Sequence, residues 1–214
     1  MNYGKDFRNY YTKHLNNSAT ILDSYTTSVL EKNFDSVPVD IYSKFLNDRI
    51  IWLGTDIDAD VANIIKSQLL YLDSISDEDI KILIDSPGGA VYTSLGIIDI
   101  MDVIKCDVQT TNVGLAASMA AVILASGTKG KRKSLKRSRT MIHQPLGYSG
   151  FSQASDMEID VKQIKELKKE LYEILGDKTG QSFDKIESDG DRDYWMTAQE
   201  AKKYGMIDEI VNKR

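Results

Sequence analysis

The stretch Ile80-Lys81-Ile82-Leu83-Ile84-Asp85-Ser86-Pro87-Gly88-Gly89 and the stretch Val108-Gln109-Thr110-Thr111-Asn112-Val113-Gly114-Leu115-Ala116-Ala117-Ser118-Met119-Ala120-Ala121 decide the fold. Each begins as a short apolar run rich in β-branched residues and ends in small or turn-forming residues, the signature of a strand running into a tight turn. Between them lies a helical stretch reaching residue 104. Working outward, residues 50–53 are a further short strand ended by Gly54. Asp56 or Asp58 caps a helix through residue 72, with Val61, Ile64, Ile65 and Leu69 on one face. In the second stretch the strand covers 108–113, and residues 114–125 form a tight turn and a buried helix. Residues 140–143 are another strand, stopped by Pro145. Residues 153–176 carry the longest helical signal, with Met157, Val161, Ile164, Leu171 and Leu175 at helical spacing. Such a helix is roughly 35 Å long, more than one core of this size needs, and its pattern fits either a projecting helix packed on another subunit or one long helix lying across its own sheet. Thr197 and Glu200 form a capping box, Gly205 is the stop signal, and 207–211 is a closing strand. Strand–helix alternation of this kind predicts an α/β fold with a largely parallel sheet.

Length and composition bound the function. The 214 residues suit one main domain, and the formal net charge of −5 disfavours a nucleic-acid binder. The basic cluster at 129–139 is read as solvated surface. A single cysteine, Cys106, allows no intrachain disulfide, which fits a reducing compartment, and it reads as a packing residue. No window approaches a membrane span and the first residues lack the apolar core of a secretory signal, so no membrane partner and a cytoplasmic location are expected. Residues 1–36 are polar apart from Tyr3, Phe7, Tyr10 and Tyr11. They form a leader or propeptide-like segment, and Pro38 marks the entry to the compact domain at 37–214.

The chain has two histidines, His14 in the leader and His143 at the end of an apolar strand. Strand ends and the loops after them are where α/β proteins place reactive groups. Ser118 sits in a run of small residues just after a strand, where a starting helix aims free N–H groups at its oxygen. That suits a nucleophile, because a serine hydroxyl reacts only when a base takes its proton and donors meet the oxyanion. The run is not the G-x-S-x-G elbow of the α/β-hydrolases. The Pro87-Gly88-Gly89 turn exposes further backbone, and a glycine N–H there can act with that of Met119. A carboxylate orienting His143 lies among Asp189, Asp191 and Asp193, which spacing alone leaves open. No cluster has metal-ligand spacing, and no metal or other cofactor is expected in this chain.

Taken together, residues 41–43, 49–51, 86–89, 114–121, 129–132, 141–146, 180–182, 191–193 and 198–208 resemble, in order, the ClpP family of serine peptidases, the proteolytic subunits of Clp proteases. The resemblance covers nearly all of 38–214. It implies the ClpP/crotonase-like α/β fold with a protruding long helix at an inter-ring interface, and two stacked heptameric rings of this chain enclosing a chamber. It implies a serine endopeptidase that degrades unfolded polypeptides, with Ser118, His143 and Asp193 as the catalytic triad and the Gly89 and Met119 amides as the oxyanion hole. Asp191 and Arg192 match the family's inter-ring contact. Peptide substrate is expected to add as a strand beside 89–91 and 145–147. ATP is used by a partner unfoldase of the ClpX or ClpA/ClpC type, since this chain has no phosphate loop. Other readings are a poorly active paralogue with a structural role in a mixed ring, and a crotonase-type acyl-CoA enzyme that would not need Ser118 and His143 together. The chain departs from the family at Asp85, usually asparagine. Residues 147–150 hold an extra residue, 135–137 lack the family's frequent proline, and the leader is long. Lys81, Thr111 and Lys133 replace apolar residues of the unfoldase-docking pocket.

Overall fold

The structure, a computed structural model, describes residues 41–147 and 153–211. The leader, with His14 and its aromatic residues, Pro38, and the extra residue within 148–150 lie outside the described residues. The chain divides into two units, Met1–Asp48 and Arg49–Arg214, the first described only from residue 41. The described part of the first is α1 (Ile41–Asn47), a short helix in which Lys44 Nζ lies 3.8 Å from Asp48.

The second unit alternates strand and helix: β1 (Ile50–Leu53), α2 (Ala59–Ile75), β2 (Ile80–Ser86), α3 (Val91–Val103), β3 (Val108–Ala117), α4 (Met119–Ala125), β4 (Lys133–Leu135), β5 (Arg139–Ile142), α5 (Ala154–Thr179), α6 (Phe183–Asp189), β6 (Tyr194–Thr197), α7 (Ala198–Tyr204) and β7 (Glu209–Val211). The sheet runs β1-β2-β3-β4-β7, all parallel, with β5 also beside β3 and β6 antiparallel to β5. This is the mixed α/β architecture the alternation predicts.

One sheet face is the core. Ile80, Ile82 and Ile84 of β2 are fully buried, whereas Lys81 and Asp85 on the alternate face are exposed. Ala62, Ile65, Leu69 and Leu72 of α2 and Ile97, Ile98 and Met101 of α3 are buried at helical spacing. Each fully buried Leu or Ile contributes about 1.5–3 kcal/mol. Asp58, not Asp56, caps α2 by accepting the Val61 N–H at 2.8 Å. Ile64, expected on the packed face, is instead exposed, because the buried stripe is centred on Ala62 and Ile65.

The pivotal element is β3, which is longer than expected. Residues 114–117, read above as a turn, continue the strand and pair with β5, while Thr111 and Asn112 pair with β4. The strand therefore forks. At the fork, Ile84 pairs with Asn112 but Ser86 with Ala116, so β3 bulges between them. Side chains satisfy the bulge. Asn112 Oδ1 accepts the Gly114 N–H at 3.1 Å, and Asp85 Oδ1 accepts the Leu115 N–H at 2.9 Å. Asn112 Nδ2 donates to Arg139 O at 2.8 Å and so fastens β5 to the fork. A side chain at 114 would overlap the Asp85 carboxyl, which explains the glycine.

The 129–139 cluster is solvated at Lys129, Lys136, Arg137 and Arg139, as expected, while its middle is tied into ion pairs. Lys131 Nζ bridges Asp79 and Asp107, each at 2.7 Å, and Arg132, 4% exposed, pairs with Asp208 at 2.6 Å. Lys133 pairs with Glu209 at 3.3 Å. Cys106 is buried, as its packing role requires, and burial pushes its thiol up. The long helix α5 has 26 residues and is anchored by Leu167, Leu171, Tyr172 and Leu175. Its first turns, with Met157, Ile159 and Val161, are exposed in the single chain, so this half projects. Strands β4 and β6 and helix α6 carry too few residues for a periodic signal. No helix among the described residues is long and apolar enough to cross a membrane.

Candidate active site

Ser118 is the single residue between the end of β3 and the start of α4. Its backbone has φ 54° and ψ −128°, a strained conformation for a residue with a Cβ. Three bonds hold it: the Ser118 N–H donates to Met141 O at 2.9 Å, and Ser118 O accepts from Ala121 at 2.9 Å and Val122 at 3.3 Å. This sharp strand-to-helix turn presents the hydroxyl at the carboxyl edge of the parallel strands. Gly88 packs beneath it. A Cβ at 88 would lie 2.6 Å from Ala117 O, 2.8 Å from Met119 N and 2.8 Å from Ser118 Cβ, and the residue has φ 95°.

The strand registers deliver the partners. In the parallel β3–β5 ladder Ala117 pairs with Met141, so Ser118 lies beside the end of β5, where His143 follows. His143 Nε2 is 2.9 Å from Ser118 Oγ. In the antiparallel β5–β6 ladder Ile142 pairs with Tyr194, and one further step sets His143 opposite Asp193. His143 Nδ1 is 3.2 Å from Asp193 Oδ1. A ring protonated on Nδ1 donates to Asp193 and keeps Nε2 free to accept the serine proton. Of the three carboxylates left open by spacing, Asp193 is the one that reaches His143. Asp189 Oδ2 accepts instead from Lys185 Nζ at 2.7 Å and Tyr204 OH at 2.9 Å. Asp191 Oδ1 accepts from Gln144 Nε2 at 3.3 Å. Asp191 and Arg192 are both exposed.

The Pro87-Gly88-Gly89 turn is held by Ile57, whose N–H donates to Gly88 O and whose carbonyl accepts the Ala90 N–H, both at 2.8 Å. In such a parallel bridge the N–H of Gly89 points away from Ile57. With Gly88 packed on the Ala117–Met119 backbone, the amides of Gly89 and Met119 lie near the serine turn. Val91, Met119, Val122, Ile142, Leu171 and Leu175 line an apolar cleft that also touches Ser118 and His143. Among the described residues no group of three or more His, Cys, Asp or Glu side chains is placed to hold a metal ion.

A family model described as Clp protease matches residues 33–214. The chain belongs to the Clp protease family. It is 52% identical over 219 residues to an ATP-dependent Clp protease proteolytic subunit of Bacteroides fragilis (strain YCH46), covering 98% of this chain and 99% of that one. A protein of the same description from Bacteroides thetaiotaomicron is 50% identical, with 98% and 99% covered. Another from Porphyromonas gingivalis is 49% identical over 218 residues, with 97% and 98% covered. Within this Clp protease chain, sequence reasoning missed Asn112, the hub of the fork, and Gln144, which binds the acid-bearing loop. A polar residue inside an apolar strand was the available signal for Asn112. Gln144 lies in the 141–146 stretch beside His143, but its role as a tie was not legible, because its partners are 46 and 47 residues away.

Proposed function

We propose that this chain is the serine endopeptidase subunit of an ATP-dependent Clp protease, with Ser118 as nucleophile, His143 as general base and Asp193 as its orienting acid. The observation that carries the reading is the chain of contacts Ser118 Oγ–His143 Nε2 at 2.9 Å and His143 Nδ1–Asp193 Oδ1 at 3.2 Å. Ser118 Oγ attacks the peptide carbonyl while His143 Nε2 takes its proton. The Gly89 and Met119 amides receive the developing oxyanion. His143 then protonates the leaving amine, and water, activated by the same imidazole, releases the acyl-enzyme. Asp193 holds the tautomer and stabilises the imidazolium.

The substrates are unfolded polypeptides, and the working assembly is two stacked heptameric rings in the cytoplasm, fed by an ATP-hydrolysing unfoldase of the ClpX or ClpA/ClpC type. The projecting, partly apolar half of α5 and the exposed Asp191–Arg192 pair support the ring-to-ring contact. This chain needs no cofactor of its own for the chemistry. Asp85 is no argument for a structural paralogue, because its carboxylate accepts the Leu115 N–H in the bulge. Lys81 and Lys133, the latter paired with Glu209, share a sheet face with Leu83 and Thr111, so the docking face is polar and suits a docking segment with polar character. The test is peptide hydrolysis by assembled Ser118→Ala protein. Loss of at least about a thousandfold is expected; undiminished cleavage contradicts the reading.

A further inference from the structure

We infer that Gln144 is a positioning residue for the His143–Asp193 pair, an inference that rests on the peptidase reading above. Asp193 needs external alignment. Its side chain is 59% exposed, so contact with His143 competes with water. The residues before it, 190–192, connect α6 to β6 and lie beyond the last paired rung of the β5–β6 ladder, Ile142 with Tyr194. Gln144 fastens this segment at three points. Its backbone N–H donates to Gly190 O at 2.6 Å. Its side-chain Nε2 donates to Asp191 O at 2.8 Å and lies 3.3 Å from Asp191 Oδ1. Tyr172 of α5 adds a fourth bond, its hydroxyl donating to Gly190 O at 3.1 Å. Burial, with the charges of Glu187 and Asp191, pushes the Tyr172 phenol up to about 12, so it remains a donor.

Because Gln144 adjoins His143 in the chain, the clamp fixes the base and the acid to one another rather than each to the scaffold. Gln144 touches neither the hydroxyl nor the apolar cleft, so it acts through the alignment of His143. Alignment within a few tenths of an ångström is what a base–acid pair requires. The experiment uses full-length assembled protein with Gln144→Met, which keeps length and removes the donor, and Gln144→Glu, which turns an acceptor toward two acceptors. A fluorogenic peptide gives kcat and KM, and the rate of fluorophosphonate labelling of Ser118 gives nucleophile activation without peptide binding. Both variants are expected to assemble, to lose about tenfold in kcat and in labelling rate, and to keep KM within twofold, with Gln144→Glu the worse. Unchanged kcat and labelling in either assembled variant overturns the inference, as does a loss confined to KM or loss of assembly in both. Absence of Ser118 labelling in the unsubstituted protein is a different result and sinks the peptidase reading itself.

Discussion

Ser118 carries a backbone strain of the order of 1–3 kcal/mol that only its surroundings hold in place. The device beneath it is Gly88, whose absent Cβ leaves room for the Ala117–Met119 backbone. Gly88→Ala is therefore expected to destabilise the domain by about 1–3 kcal/mol and to lower peptide cleavage by at least about a hundredfold, measured on protein that still assembles. An exposed glycine such as Gly130, with open space around its Cβ position, supplies the comparison; alanine there strains the backbone at φ 89° but leaves cleavage unchanged. Ser118 and His143 stood out in the sequence because few residues compete with them: one hydroxyl in a run of small residues and one histidine outside the leader. The choice of acid was not legible from spacing. It is made by a strand register, 194 opposite 142, that local pattern does not encode.

At the scale of elements, the fork in β3 decides the site. Asn112 is buried and bonds Gly114, Arg139 and Thr140. Asn112→Leu leaves at least two backbone groups unsatisfied and is expected to cost about 3 kcal/mol, read as a lower midpoint in urea, with cleavage falling because β5 carries His143. Long elements were readable: α2, α3, α5 and the capping box of α7 appear where periodicity and caps put them. The short elements were not, because a strand of three or four residues such as β4 or β6 exists only through its neighbours. The end of β3 was misread for the same reason. Glycine and alanine there look like a turn until Asp85 and Asn112 supply the missing hydrogen-bond partners. Helix α5 shows the complementary case, where the pattern was right and its burial uneven. Leu171→Ala is expected to cost about 2–5 kcal/mol, whereas Ile159→Ala, 66% exposed at the start, leaves the stability of the isolated chain within about 0.5 kcal/mol.

Across the whole molecule, stability draws on groups that titrate at opposite ends of the pH scale. Burial raises the Asp208 carboxyl, but hydrogen bonds from Arg132 and Gly130 and the guanidinium charge outweigh it and hold it below the usual carboxylate range. Its contribution is thus present above the unfolded value near 4 and lost as pH falls through the lower folded value. Asp208→Asn strands the buried Arg132 and is expected to lower stability by about 3–5 kcal/mol at neutral pH, the gap to the parent closing in acid. Tyr172 works the other way. Its folded value near 12 exceeds the unfolded value of about 10, so stability falls with rising pH in that window, by up to about 1.4 kcal/mol per unit, and Tyr172→Phe flattens that slope. The central claim is that a hydroxyl, an imidazole and a carboxylate held at the ends of three separate strands act as one triad. Covalent capture tests it most directly: assembled protein treated with a fluorophosphonate and mapped by mass spectrometry. The account predicts a single adduct on Ser118, lost in His143→Ala and sharply slowed in Asp193→Ala. An adduct elsewhere, or one on Ser118 that forms as fast without His143, would contradict it.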